Sequence, residues 1–218
     1  MNRGFSAFCI LSLVAAPFAA AVSGEIDFTP TVNRYTSEGA EYANATFKDG
    51  KRSVSIAVPR TWTCRGDASR LQFTPPAPSL AEGTIQSLPA KGLIRFDEPT
   101  VQAFGQQVVS TVPSGSQGVT VVSQRENPVI IDGNLSYEFV VSFQTLGKTF
   151  LRSVVLVACP DQQLIFRFTA PKADFDNLNR SFRQSIYSWQ WTEQSPVATK
   201  QDPAMASAPA PQAPSTAN

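Results

Sequence analysis

The chain has 218 residues, 42% of them apolar and 16% charged, with a formal net charge of +1 and no histidine. That length and apolar fraction allow a full core and exclude a disordered chain, and the near-neutral charge argues against a nucleic-acid partner. Without histidine, Ser-His-Asp and Cys-His nucleophiles and imidazole-based metal sites are excluded.

The first element is a leader over residues 1–21. Arg3 supplies a positive start, 5–16 is mostly apolar and uncharged, Pro17 breaks the run, and Ala19, Ala20 and Ala21 provide small residues for cleavage. This is the pattern of a bacterial-type signal peptide. The mature chain is therefore expected to be periplasmic or secreted, with no integral membrane span once the leader is removed. Cleavage takes away Arg3, so the 18 basic residues become 17 and match the 17 acidic ones. A chain of zero net charge has no long-range field to steer a charged partner.

A half-buried strand is expected over 53–58, where Val54, Ile56 and Val58 alternate with smaller residues. Pro59 ends it, and Arg60, Thr61 and Trp62 make a turn. A second short strand covers 69–74 with Leu71 and Phe73 inward, followed by a stiff loop carrying Pro75, Pro76 and Pro78 and a short strand over 83–88. The period then changes. Val101, Phe104, Val108, Val109 and Val112 fall on one helical stripe over 97–111, with Asp97 as N-cap and Pro99 in the first turn. Gly105 in its middle costs about 1 kcal/mol relative to alanine.

Period two returns over 119–126, followed by a turn at Asp132 and Gly133. In 135–144, Leu135, Tyr137, Phe139, Val141 and Phe143 alternate with Ser136, Glu138, Val140, Ser142 and Gln144, the pattern of a strand with one wet face. Leu146, Gly147 and Lys148 form a hairpin turn, 150–158 a central strand, 159–162 another turn and 164–169 the last strand of the meander. A closing helix carries Phe175, Leu178, Phe182, Ile186 and Trp189 on one face, and unwinds where Tyr187, Trp189 and Trp191 alternate. Residues 195–218 form a Pro/Ala-rich tail, with 17 of 24 residues Pro, Ala, Ser or Thr, a composition expected to remain disordered. The strand connections are too short for parallel crossovers. Residues 22–194 are therefore one α+β domain, an antiparallel β-sheet flanked by α-helices.

The residues also resemble a known family. Val58 and Pro59 end a strand before Trp62, a short strand runs from Leu71 to Phe73, and an amphipathic helix lies mid-chain. The Asp132–Gly133 turn, the meander and a closing helix entered through Ala170, Pro171, Lys172, Ala173, Asp174 and Phe175 complete the likeness. Together they look like the PsbP-like fold of the photosystem II extrinsic protein PsbP, the Ran-binding Mog protein and exported bacterial relatives. The resemblance implies an αβα sandwich, and binding or accessory roles rather than catalysis. Metal-binding histidines of photosynthetic relatives have no counterpart here.

Cys64 and Cys159 survive export. An even pair in an oxidising compartment suggests a Cys64–Cys159 disulfide, worth about 4–5 kcal/mol on the loop-entropy model. A reactive thiol is the alternative, because Arg65 adjoins Cys64 and cations depress a thiol pKa. Lys51, Arg52, Arg60, Arg65 and Arg70 cluster in sequence with one acid, Asp67. Arg60, Trp62, Arg65 and Arg70 are the candidate binding surface, with Trp62 either an interface anchor or a core plug. No catalytic, cofactor-binding or metal-binding set is read from the sequence. Asp67 and Asp161 are the carboxylates that could pair in space for acid–base work. The expected function is an exported non-enzymatic binding or accessory protein of the cell envelope, holding another envelope protein or a small apolar ligand. The alternatives are a histidine-free carboxylate hydrolase and a structural component tethered by the tail. The oligomeric state is left open.

Overall fold

The computed structural model describes residues 26–90 and 92–193; the expected leader and tail lie outside the described residues. In chain order the elements are β1 (Ile26–Ser37), β2 (Ala40–Asp49), β3 (Arg52–Val58), β4 (Thr63–Gly66), β5 (Arg70–Thr74) and β6 (Glu82–Pro89). There follow α1 (Glu98–Ser110), β7 (Gln117–Glu126), β8 (Ser136–Thr145), β9 (Lys148–Ala158), β10 (Gln162–Pro171), α2 (Lys172–Tyr187) and β11 (Gln190–Glu193). The strands form a four-stranded sheet, β1-β2-β3-β11, and a seven-stranded sheet, β4-β5-β6-β10-β9-β8-β7. Every pairing is antiparallel.

Tight turns set the registers. Glu38–Gly39, Asp132–Gly133 and Leu146–Gly147 have positive φ at both positions, the requirement of a type I′ turn whose twist matches its flanking strands. Asp97 caps α1 as its sequence foretells: its carboxylate accepts from the Thr100 amide at 3.0 Å, and the Thr100 hydroxyl and amide together hold that carboxyl below its ordinary pKa.

The seven-stranded sheet is covered differently on its two faces. Its inner face carries Leu71, Phe73, Ile85, Leu164, Phe166 and Phe168 into one core with Ala45, Phe47, Val54 and Ile56 of the four-stranded sheet and Phe175, Phe182 and Ile186 of α2. On the outer face Phe139, Val141, Phe143, Phe150, Val154 and Leu156 meet Phe104 and Val108 of α1. The α+β class and the antiparallel sheet hold. A plain sandwich of helical layers does not describe the inner side, where α2 shares the cover with the four-stranded sheet.

That second cover corrects the reading of β8. Ser136 and Glu138, expected on a wet face, are buried. Glu138 accepts from the Ser153 hydroxyl at 2.5 Å and from the Arg183 guanidinium of α2, so the charge sits inside with its partners. Leu135, expected inward, lies outside β8 and is exposed. The stripe of α1 is also narrower than its periodicity implies, with Val109 outward.

α2 reaches the sheet through a glycine. A Cβ at Gly83 of β6 would lie 2.6 Å from the Phe182 ring, and that ring is itself flanked by Phe73 at 5.6 Å and Phe168 at 5.4 Å. Gly83→Ala is therefore expected to destabilise the fold by about 1–3 kcal/mol through overpacking. The urea unfolding midpoint checks this.

Candidate functional site

β2 is the longer partner of β3. Their pairing ends at Ala43 opposite Val58, but the β1–β2 ladder continues through Tyr35–Tyr42, Thr36–Glu41 and Ser37–Ala40. The tip is thus a two-stranded projection beyond the four-stranded sheet. Tyr35 and Tyr42, directly opposite each other, stack at 5.5 Å and 18°, and are 49% and 47% exposed. An exposed aromatic pair on a hairpin offers much contact area at low side-chain entropy.

The projection also forms a wall of a cleft of about 320 Å³, completed by the turn after β3 and lined by Arg34, Glu41, Tyr42, Val58, Pro59 and Arg60. That turn is strained. The Trp62 amide donates to the Pro59 carbonyl at 3.1 Å, and Thr61 takes φ 67°, a region that a β-branched side chain rarely adopts. Burial of Trp62 against Phe168, with the rings stacked at 6.1 Å, holds the turn in place and presents Arg60 to the cleft.

The residues expected to form one binding surface therefore separate. Arg60 lines the hairpin cleft. Trp62 is a core plug, 4% exposed, and is not an interface anchor. Arg65 on β4 and Arg70 on β5 lie on the outer face of the seven-stranded sheet, where Arg65 pairs with Gln72, two residues along from Arg70. The tyrosine pair was missed by sequence reasoning. The signal was present in two tyrosines equidistant from Glu38–Gly39, but no apolar alternation marks these strands.

The cysteines do not form the expected disulfide; both are free thiols. β4, which holds Cys64, is separated from β9, which Cys159 follows, by β5, β6 and β10. Four strand spacings amount to roughly 19 Å, well beyond the ~7 Å Cα limit for a bridge. Burial pushes the Cys64 thiol up to about 12 and Cys159 to about 11, the latter also raised by the nearby Asp161. Neither is a thiolate at neutral pH, which disfavours the reactive-thiol alternative.

The carboxylates are similarly occupied. Asp67 accepts from the Ser69 amide and hydroxyl and the Arg70 amide in the β4–β5 turn, and these bonds hold its pKa low. Asp161 lies in the β9–β10 turn, with β6 between the two turns, so this pair is not brought together. Buried Asp49 accepts at one oxygen from Arg52 at 2.7 Å, the Trp191 indole at 2.8 Å and Gln162 at 3.4 Å. Its partners Arg52, Gln162 and Trp191 line a cleft of about 370 Å³ together with Asp132, Asn134, Cys159 and Asp161. A third cleft, of about 390 Å³, lies between Pro76, Pro78, Asp174 and Leu178. The linings of these three clefts mix charged and apolar side chains. Among the described residues no cluster of three His, Cys, Asp or Glu could hold a metal, and no helix is long and apolar enough to cross a membrane.

No protein-family model matches the chain, and no curated protein matches it. Solved structures with similarity include cyanobacterial PsbP from Synechocystis, with a TM-score of 0.45 and 12% identity over 81% of this chain and 98% of that one. Another is LpqN, involved in cell envelope biogenesis of Mycobacterium tuberculosis, with 0.47 and 14% over 75% and 91%. A protein of unknown function from Pseudomonas aeruginosa gives 0.42 and 17% over 72% and 94%.

Two outcomes follow from this geometry. Alkylation of the denatured, unreduced mature protein is expected to add two adducts by mass spectrometry, one at each of Cys64 and Cys159. Thr61→Gly is expected to raise stability by about 1 kcal/mol, since glycine removes the left-handed penalty and returns part of it as chain entropy. A rise in the denaturation midpoint checks it.

Proposed function

We propose that this chain is a PsbP-like accessory protein of the cell envelope, exported by residues 1–21, that binds a partner protein through the β1–β2 hairpin without catalysing a reaction. The observation that carries the reading is the stacked, half-exposed Tyr35–Tyr42 pair on a projection beyond the sheet. Arg34, Glu41 and Arg60 beside it supply charged groups that would orient a partner around the aromatic anchor. The scaffold behind it is rigid, so little ordering cost would accompany binding. Two of the most buried carboxylates, Asp49 and Glu138, are held by cations, which leaves neither free for acid–base work.

A photo-crosslinker placed at Tyr42 in the mature chain, exposed to the native envelope, tests this. It is expected to yield a discrete protein adduct that Tyr35→Ala reduces about thirtyfold, as loss of a ~2 kcal/mol anchor requires. Tyr187→Ala, a change at an exposed tyrosine on α2, should leave it intact. An absent adduct, or one insensitive to Tyr35→Ala, contradicts the reading.

A further inference from the structure

α1 is 13 residues long and so spans about 20 Å. It packs on β8 and β7, and the outer face of β4, β5, β6 and β10 is mostly polar, with Ile165 against the α1 cluster and Leu88 exposed. Register builds a row across that open half: Arg65 opposes Gln72, Gln72 opposes Thr84, and Thr84 opposes Arg167. Side chains of directly paired residues share a face, so all four stand on the same side. Arg70 stands on that face in the next row, opposite Gln86. Glu82, opposite Thr169, is the acid among these positions.

Arg152 borders the patch and has a structural task. It donates to the Thr111 carbonyl at the C-terminal end of α1 and to the Thr169 hydroxyl at 2.9 Å, and lies 5.4 Å from the centre of the Phe143 ring. Burial, with repulsion from Arg167, lowers it to about 10, so it stays charged at neutral pH. Arg65 and Arg167 have no such duty, Arg70 lies beside the Asp67 carboxylate of the β4–β5 turn, and the two ion pairs among the described residues involve none of the four arginines.

Thr84 supplies a second, independent observation. It is 2% exposed, and its hydroxyl is buried with no hydrogen-bond partner. An unmet hydroxyl costs stability, and here it sits in the middle of a row of cations with a donor to offer.

We propose that Arg65, Arg70 and Arg167, with the Thr84 hydroxyl between them, form a binding site for a phosphate group. Guanidinium forks match the oxygens of a phosphate, and several donors around one point favour a tetrahedral group with several acceptor oxygens over a single carboxylate. Arg65 and Arg70 are diagonal neighbours on adjacent strands, about 7–8 Å apart. Arg167 stands three strand spacings, roughly 14 Å, from Arg65, so a bound group would sit over Thr84 between arms reaching in from both sides. The site is on the seven-stranded sheet, away from the hairpin, and stands without the partner-binding reading.

Titration of the mature chain with inorganic phosphate at constant ionic strength, followed by amide shifts of β5, β6 and β10, tests the proposal. A parallel arm uses phosphatidylglycerol vesicles in phosphatidylcholine against phosphatidylcholine alone. Saturable phosphate binding identifies a free phosphate or soluble phosphoester; binding to the anionic vesicles alone identifies a lipid headgroup. In either case Arg167→Gln and Arg65→Gln are expected to weaken binding about tenfold each. Thr84→Val should weaken it about fivefold while leaving the unfolding midpoint unchanged or higher, since it removes an unpaired hydroxyl. Arg180→Gln, at an exposed position on α2, should leave phosphate binding unchanged. Binding in neither arm, or binding weakened as much by Arg180→Gln as by Arg167→Gln, overturns it.

Discussion

Phe182 touches the seven-stranded sheet over the bare backbone of Gly83, between Phe73 and Phe168. Much else depends on that seat. It fixes α2 across the inner face, from the Pro76–Pro78 loop at its start to the Pro128 carbonyl, which accepts from Tyr187 at its end. The helix then delivers Trp189 against Phe47 and Phe166, and β11 can pair with β3. The four-stranded sheet is held to the seven-stranded one by the same aromatic packing, and its hairpin is aimed by that attachment.

A polar lock closes the far end of this arrangement. Asp49 at the end of β2 receives the Trp191 indole from β11, Arg52 from β3 and Gln162 from β10, so one carboxylate oxygen ties both sheets together. Arg52 also lies over the Trp191 ring at 5.2 Å. Such a group is tolerated inside only with its partners, and removing one leaves a buried charge that costs several kcal/mol. Binding surfaces carried on a frame with this much cross-bracing are pre-organised.

Long periodic elements were legible. The stripe of Phe175, Phe182 and Ile186, the cap at Asp97 and the meander turns lie where the pattern places them. β1, β2 and β4 were not foreseen, for physical reasons. Residues from Asn33 to Glu41 face solvent on both sides, so no alternation marks them, and Ala43 and Ala45 are too small to register as core. β4 has four residues with one inward side chain, Cys64. Burial of Glu138 could not be read without its distant partner Arg183, and the spacing of Cys64 and Cys159 in sequence says nothing about the strands between them. The candidate surface was half legible. Its arginines are on the surface, but topology divides them between two places and supplies Arg167 and Thr84 from later in the chain.

In the function proposed above, partner recognition belongs to the hairpin tip and the rest of the molecule serves as its frame. Hydrogen exchange of the mature chain, free and bound to a protein captured by crosslinking at Tyr42, reads this directly. Added protection is expected in amides 33–43, with the amides of β8, β9 and β10 unchanged. Binding that protects the Asp49 cleft or the β7 edge while the hairpin exchanges as in the free protein would contradict it.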